Sequence, residues 1–233
     1  SLTTASPTDS ARFQNLTLTA GSLVQAGVIR VNGTLDWSGT TNLTGGGVTR
    51  VGSAGILNMT GTGTRTFTTG TLENQGTATW SGNFTLNTGL GATLRNITGA
   101  NFNLTGDGAF PQNQGGVQTA FDNRGTFTRN TSAGTATWGV SFIDILGNLA
   151  INTGTFQLTG GGRLAGTITT SGTSTLEFPA GTMSLKGGFG HSGTGRILLS
   201  GATLASDSGF GNAVSVNNMD FTSGTIAHEG SLT

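Results

Sequence analysis

Gly76-Thr77-Ala78-Thr79-Trp80-Ser81-Gly82 reads as one short strand bracketed by turn residues, and the chain repeats it. The phrase stands earlier as Gly33-Thr34-Leu35-Asp36-Trp37-Ser38-Gly39 and later as Gly134-Thr135-Ala136-Thr137-Trp138-Gly139. A looser copy, Gly125-Thr126-Phe127-Thr128-Arg129, puts an arginine where the others carry tryptophan. Within each copy apolar side chains alternate with hydroxyls, a period of two that buries one face of a strand and leaves the other in water. Leu16/Leu18 and Ile29/Val31 continue the alternation outside the phrase.

The intervals say how such strands are assembled. Gly33 to Gly76 is 43 residues, Gly76 to Gly125 is 49, and Trp37 to Trp80 is again 43. A second set of phrases, Asn42-Leu43-Thr44-Gly45, Asn58-Met59-Thr60-Gly61, Asn103-Leu104-Thr105-Gly106 and Gln157-Leu158-Thr159-Gly160, recurs less evenly. Self-similarity at such periods marks solenoids and propellers. Gly-Thr occurs fourteen times, so turns cut the chain into strands too short for propeller blades. Half of 43 to 49 residues suits a coil of roughly 22, which gives about ten coils and, at the ~4.8 Å spacing of paired strands, a rod of roughly 50 Å.

Composition agrees. Gly (42), Thr (44), Ser (19) and Asn (18) exceed half of the 233 residues, and these are poor helix formers. Disorder is the competing reading of a polar, glycine-rich chain. Zero net charge, three prolines and thirteen phenylalanines argue against it. There is no cysteine, so thiol chemistry and disulfides are excluded, and no apolar run reaches the length of a membrane-spanning helix. Ten basic and ten acidic residues, scattered along the sequence, give no electrostatic footprint for nucleic acid or anionic lipid.

The Gly-Thr strands, the Leu-Thr-Gly-Gly-Gly corners, and phrases such as Leu72-Glu73-Asn74-Gln75-Gly76-Thr77 and Phe121-Asp122-Asn123-Arg124-Gly125-Thr126 together resemble the right-handed parallel β-helices of bacterial secreted surface proteins, the autotransporter-passenger and filamentous-haemagglutinin-like group. The resemblance covers the chain from about residue 13. It implies an all-β, right-handed parallel β-helix of about ten coils, secretion, and service as an adhesin, stalk or filament. Residues 1–12 are expected as an irregular tail and residues 13–233 as a single β-solenoid domain. Ser1 and the abrupt end at Thr233 suggest a piece of a longer polypeptide whose ends continue into further repeats or meet another copy head to tail.

Candidate sites are few. Asp122/Asp144 and Asp207/Glu229 are each 22 residues apart, about one coil, which could set two carboxylates facing one glycosidic bond. Lys186 is the only lysine, which leaves a polysaccharide lyase short of basic partners. The three tryptophans could form a ladder for sugar rings, but their alternation with Leu35, Ala78 and Ala136 assigns them to the core, and Arg129 in their place marks a coil that opens outward. His191 and His228 stand too far apart for a metal pair, and Asp107 lacks the rest of a calcium-binding nonapeptide. Thr-x-Thr pairs, among them Thr77/Thr79, Thr126/Thr128 and Thr167/Thr169, resemble ice-binding ladders in composition but are unevenly spaced. Eight Asn-x-Ser/Thr sequons carry little weight in a chain so rich in Ser and Thr.

The sequence therefore predicts a non-catalytic structural or adhesive segment at the bacterial cell surface or outside the cell, with no catalytic residues, metal or cofactor, and with a host surface or carbohydrate as partner. The alternatives are a carbohydrate-active β-helix enzyme, either glycosidase or lyase, and a threonine-ladder ice-binding protein.

Overall fold

A computed structural model describes residues 2–207 and 214–229, and the side chains of Asp207, His228 and Glu229 lie outside that description. Twenty-eight strands and no helix occur among the described residues, so none crosses a membrane as a helix. The short alternating phrases become strands because each pairs with the equivalent phrase one coil away. Thr64–Thr68, Thr71–Asn74 and Thr77–Trp80 make one coil, and Thr85–Gly89, Thr93–Asn96 and Asn101–Leu104 make the next. These three positions define three faces, and every strand pairing is parallel along them. The result is a β-solenoid of about ten coils.

Residues 1–12, expected as an irregular tail, contribute strands. Leu2–Thr4 pairs with Ser22–Gln25, and Ser10–Phe13 with Val28–Val31. Pro7 interrupts their alternation in sequence, and pairing with the following coil supplies the order that local pattern does not.

The recurring phrase sits where its spacing implies. Trp37 pairs through Met59 with Trp80, two coils on, and Trp80 through Leu104 with Arg129, two further. Its third copy does not. Thr135–Trp138 opens its coil ahead of Ser141–Asp144 and Asn148–Ile151, which places it on the first face, whereas Thr77–Trp80 lies on the third. The phrase specifies a strand with an inward aromatic, not a side of the coil. Coil length also varies: Ala11 to its partner Ile29 is 18 residues, and Leu94 to Phe121 is 27, because residues 106–119 form an excursion.

Corners between the second and third faces explain the Asn-x-Gly phrases. A β-carbon on Gly76 would stand 2.2 Å from the Gly55 carbonyl oxygen, so glycine is required there by the closeness of neighbouring coils. Beside it runs a buried ladder. Asn74 Nδ2 donates to Asn96 Oδ1 at 2.8 Å, Asn96 Nδ2 to Asn123 Oδ1 at 2.8 Å, and Asn123 Nδ2 to Asp144 Oδ1 at 3.0 Å. The same amides also reach backbone carbonyls, as Asn74 does to Asn101 O at 2.9 Å. Removing the middle rung should be costly: Asn96→Ala takes the side-chain acceptor from Asn74 and the donor from Asn123 Oδ1, and is expected to destabilise by about 1–3 kcal/mol, read as a lower urea midpoint. An unchanged midpoint would show that water replaces the amide.

Inside, all three tryptophans are fully buried, as their alternation predicts. Trp138 is the hub, with seven aromatic rings centred between 5.0 and 6.2 Å from its own. Two arginines share this interior. Arg129, expected to mark an outward-opening coil, points inward with no exposed surface. Its Nη1 donates to Gly106 O at 2.9 Å, and its Nη2 to Asp107 Oδ1 at 2.6 Å and Gly134 O at 2.8 Å. The Gly106 carbonyl and the Asp107 carboxylate, both at the start of the excursion, are what make a buried guanidinium tolerable there. Arg65 lies over Phe84 at 3.7 Å and donates to the carbonyls of Trp37 and Thr60, and burial lowers its pKa to about 10.

Candidate functional site

Stacking turns residues that are distant in sequence into columns. Because neighbouring coils pair in fixed register, the outward positions of the second face run Arg12, Arg30, Arg50, Glu73, Arg95, Asp122, Ile143, Arg163, one coil apart at each step. Charges scattered along the sequence are thus gathered on one side of the rod. Five of the nine arginines stand in this column, with Arg124 beside it.

Its middle is an ion-pair chain. Arg50 Nε donates to Glu73 Oε1 at 2.6 Å, Arg95 reaches Glu73 Oε2 at 3.9 Å, and Arg95 Nε donates to Asp122 Oδ2 at 2.9 Å. Arg124 Nη2 lies 2.9 Å from the same Asp122 oxygen. Hydrogen bonding to Asp122 and its charge push the Arg124 pKa up. Among the described residues Arg12, Arg30 and Arg163 make no ion pair, which leaves them open to solvent anions.

Where the chain of pairs ends, the surface opens into a groove of about 360 Å³. Thr93, Arg95, Asp122 and Arg124 form its polar side, and Ile143, Ile145 and Leu146 its apolar side. Leu146 is 72% exposed and Ile145 41%, which sets a small apolar surface beside the charged groups. Both lie at the corner after Asp144, where the coil turns wide before Gly147.

The carboxylate pairs read from sequence fare differently. Asp122 and Asp144 do not face one another: Asp144 pairs with Asn123, and Asp122 with Ile143, so one carboxylate points inward and the other outward. The 22-residue interval is one residue longer than that coil, and alternation does the rest. Asp144 is fully buried and its second oxygen has no partner. Burial pushes its pKa up to about 6, against the lowering effect of bonds from Asn123 and Gly147. Asp207 and Glu229 are paired through their backbones, while their side chains lie outside the described residues.

His191 is buried and its Nε2 lies 2.9 Å from Thr170 Oγ1. Burial lowers its pKa, partly offset by a bond to the Asn217 backbone. His228 lies outside the described side chains. Asp107 is held by Arg129 and by Ser132 Oγ at 2.6 Å; burial pushes its pKa up, but these bonds and the charge of Arg129 outweigh it and leave the carboxyl below its ordinary range. Among the described residues no cluster of three or more His, Asp or Glu gathers as a metal site would require.

Thr77/Thr79, Thr126/Thr128 and Thr167/Thr169 do share one register on the third face. Asn101/Asn103 and Asn148/Ala150 interleave with them, so the threonine ladder is broken at every second coil. Thr64/Thr66/Thr68 and Thr135/Thr137 lie on the first face.

No protein family, curated protein or solved structure matches the chain. The arginine column escapes a reading of the sequence in which charges are counted and not aligned. Its intervals of 18, 20, 23 and 22 from Arg12 to Arg95 are coil lengths, which is the signal that reveals it.

Proposed function

We propose that the chain is a non-catalytic structural and adhesive rod, one segment of an extracellular bacterial surface protein or filament. The observation that carries this reading is the last strand, Met219–Glu229. Phe221 continues the column of the buried Leu199, and Ile226 that of Leu204, yet Phe221 is 54% and Ile226 42% exposed. Leu2, in register with buried Leu23, is 38% exposed at the opposite end. Among the described residues each end therefore offers core side chains and unpaired backbone groups shaped for one more coil, a template that proteins otherwise cover or blunt. A further coil of the parent chain or the end of a second copy satisfies both. The resemblance of the repeats to adhesin β-helices supports the same reading.

End-to-end assembly is measured by negative-stain microscopy and light scattering of the isolated segment across concentration. Short filaments that disappear in Phe221→Lys, with the strand content unchanged by circular dichroism, are the expected result. A monomer at every concentration overturns the end-to-end part of the proposal.

A further inference from the structure

The charge column of the second face is more than a solvated surface. Six arginines and two acids, counting Arg124, leave four net positive charges between the first coil and the eighth. Seven strand spacings of ~4.8 Å make that roughly 34 Å, or about one net charge per 8 Å. Stacking like charges as Arg12, Arg30 and Arg50 are stacked is unfavourable unless an anion lies across them, and only Arg50 has an acid beside it.

We infer that this face binds a carboxylate-bearing polysaccharide laid along the rod axis, with the groove beside Arg124 as its anchoring subsite. The inference rests on the adhesive reading above and names its partner. Guanidinium groups present a planar fork that fits carboxylates, and the column carries that fork in five of its eight coils. In the groove a sugar ring sets its apolar face on Ile143, Ile145 and Leu146, while Thr93 and the arginines meet its hydroxyls and carboxylate. Glu73 and Asp122 hold Arg50, Arg95 and Arg124 in place between visits of ligand.

Charge density selects against nucleic acid. Duplex DNA carries a phosphate every ~1.7 Å, several times denser than this track, and would meet the interleaved Glu73 and Asp122 repulsively. Single strands are bound on exposed aromatic platforms, whereas the three tryptophans here are all buried. A polymer with one carboxylate on every second ring fits the sparser spacing.

Hyaluronate, which has that charge pattern, is the probe, with dextran as the neutral comparator and single-stranded DNA as the denser polyanion. Titration of the full chain is expected to show hyaluronate binding that weakens as salt is raised, and none to dextran. Arg30→Ala and Arg124→Ala should each weaken binding about tenfold. Leu146→Ala should weaken it without altering the salt dependence. Arg196→Ala, which breaks the exposed pair with Asp220 on the first face, should leave it unchanged. Arg30 makes no ion pair and Asp122 keeps Arg95 when Arg124 is removed, so these variants retain the fold, and thermal melts verify it. The inference is overturned if hyaluronate does not bind, if the second-face variants bind like the parent, or if DNA binds more tightly at equal ionic strength. End-to-end assembly is read independently, so failure of one leaves the other standing.

Discussion

Trp138→Ala is expected to lower the stability of the rod by about 3–5 kcal/mol, the range for removing a large buried aromatic. The loss should reach the upper part of that range because Trp138 is touched from every side. Phe121 at 5.0 Å, Phe156 at 5.1 Å and Phe110 at 5.4 Å stand edge-on to it, and Trp80 at 5.5 Å is tilted against it. Rings held in parallel ladders on three faces cannot collapse into the space, so the cavity persists. Trp138→Phe separates packing from polarity. The indole nitrogen is buried without a partner, and phenylalanine removes that unmet donor while keeping a ring. The phenylalanine variant should lose much less, and equal losses in the two variants would sink the packing explanation. Urea unfolding followed by far-ultraviolet circular dichroism, which does not depend on tryptophan emission, measures both.

Asp144 sets the second large effect, a dependence on pH. Its carboxyl is raised from the ordinary 3.8 to about 6 by burial. Between those values the folded chain holds a proton that the unfolded chain has released, so stability falls as pH rises through the window and is lowest above it. A rise of that size corresponds to about 3 kcal/mol. Asp144→Asn keeps an acceptor for Asn123, ends the charge, and should raise stability above pH 6 while flattening the slope below it. A parent protein whose urea midpoint does not fall between pH 4 and 6 would refute the assignment.

How much of this is legible in sequence can be judged residue by residue. The alternation around Trp37 and Trp80 specifies inward strands, and the 43-residue interval specifies two coils, so the parallel stack and its core follow directly. Trp138 shows the limit: a near-identical phrase lands on another face, because phrase identity carries no information about the corner that precedes it. Arg129 misleads since its polarity suggests solvent, whereas the Gly106 carbonyl and the Asp107 carboxylate supply partners that no local pattern announces. Asp122 and Asp144 fail as a pair through a single residue of register. The arginine column is readable in principle, but only once coil boundaries are known to within one position.

The excursion at residues 106–119 also divides the rod mechanically. On the first face the ladder there shrinks to isolated bridges, Thr85 to Ala109, Thr88 to Gln112 and Phe110 to Trp138, in place of a full strand. The aromatic rings crowd toward this same gap, with Phe110, Trp138, Trp80 and Phe84 around it. Backbone bonds still cross the gap, among them Leu86 N–H to Ala109 O at 2.8 Å and Phe110 N–H to Thr137 O at 3.1 Å, so this joint combines ring packing with an irregular ladder. Apolar contact loses strength in the cold, so a joint that leans this heavily on ring packing is expected to be more sensitive to chilling than a stretch of regular ladder.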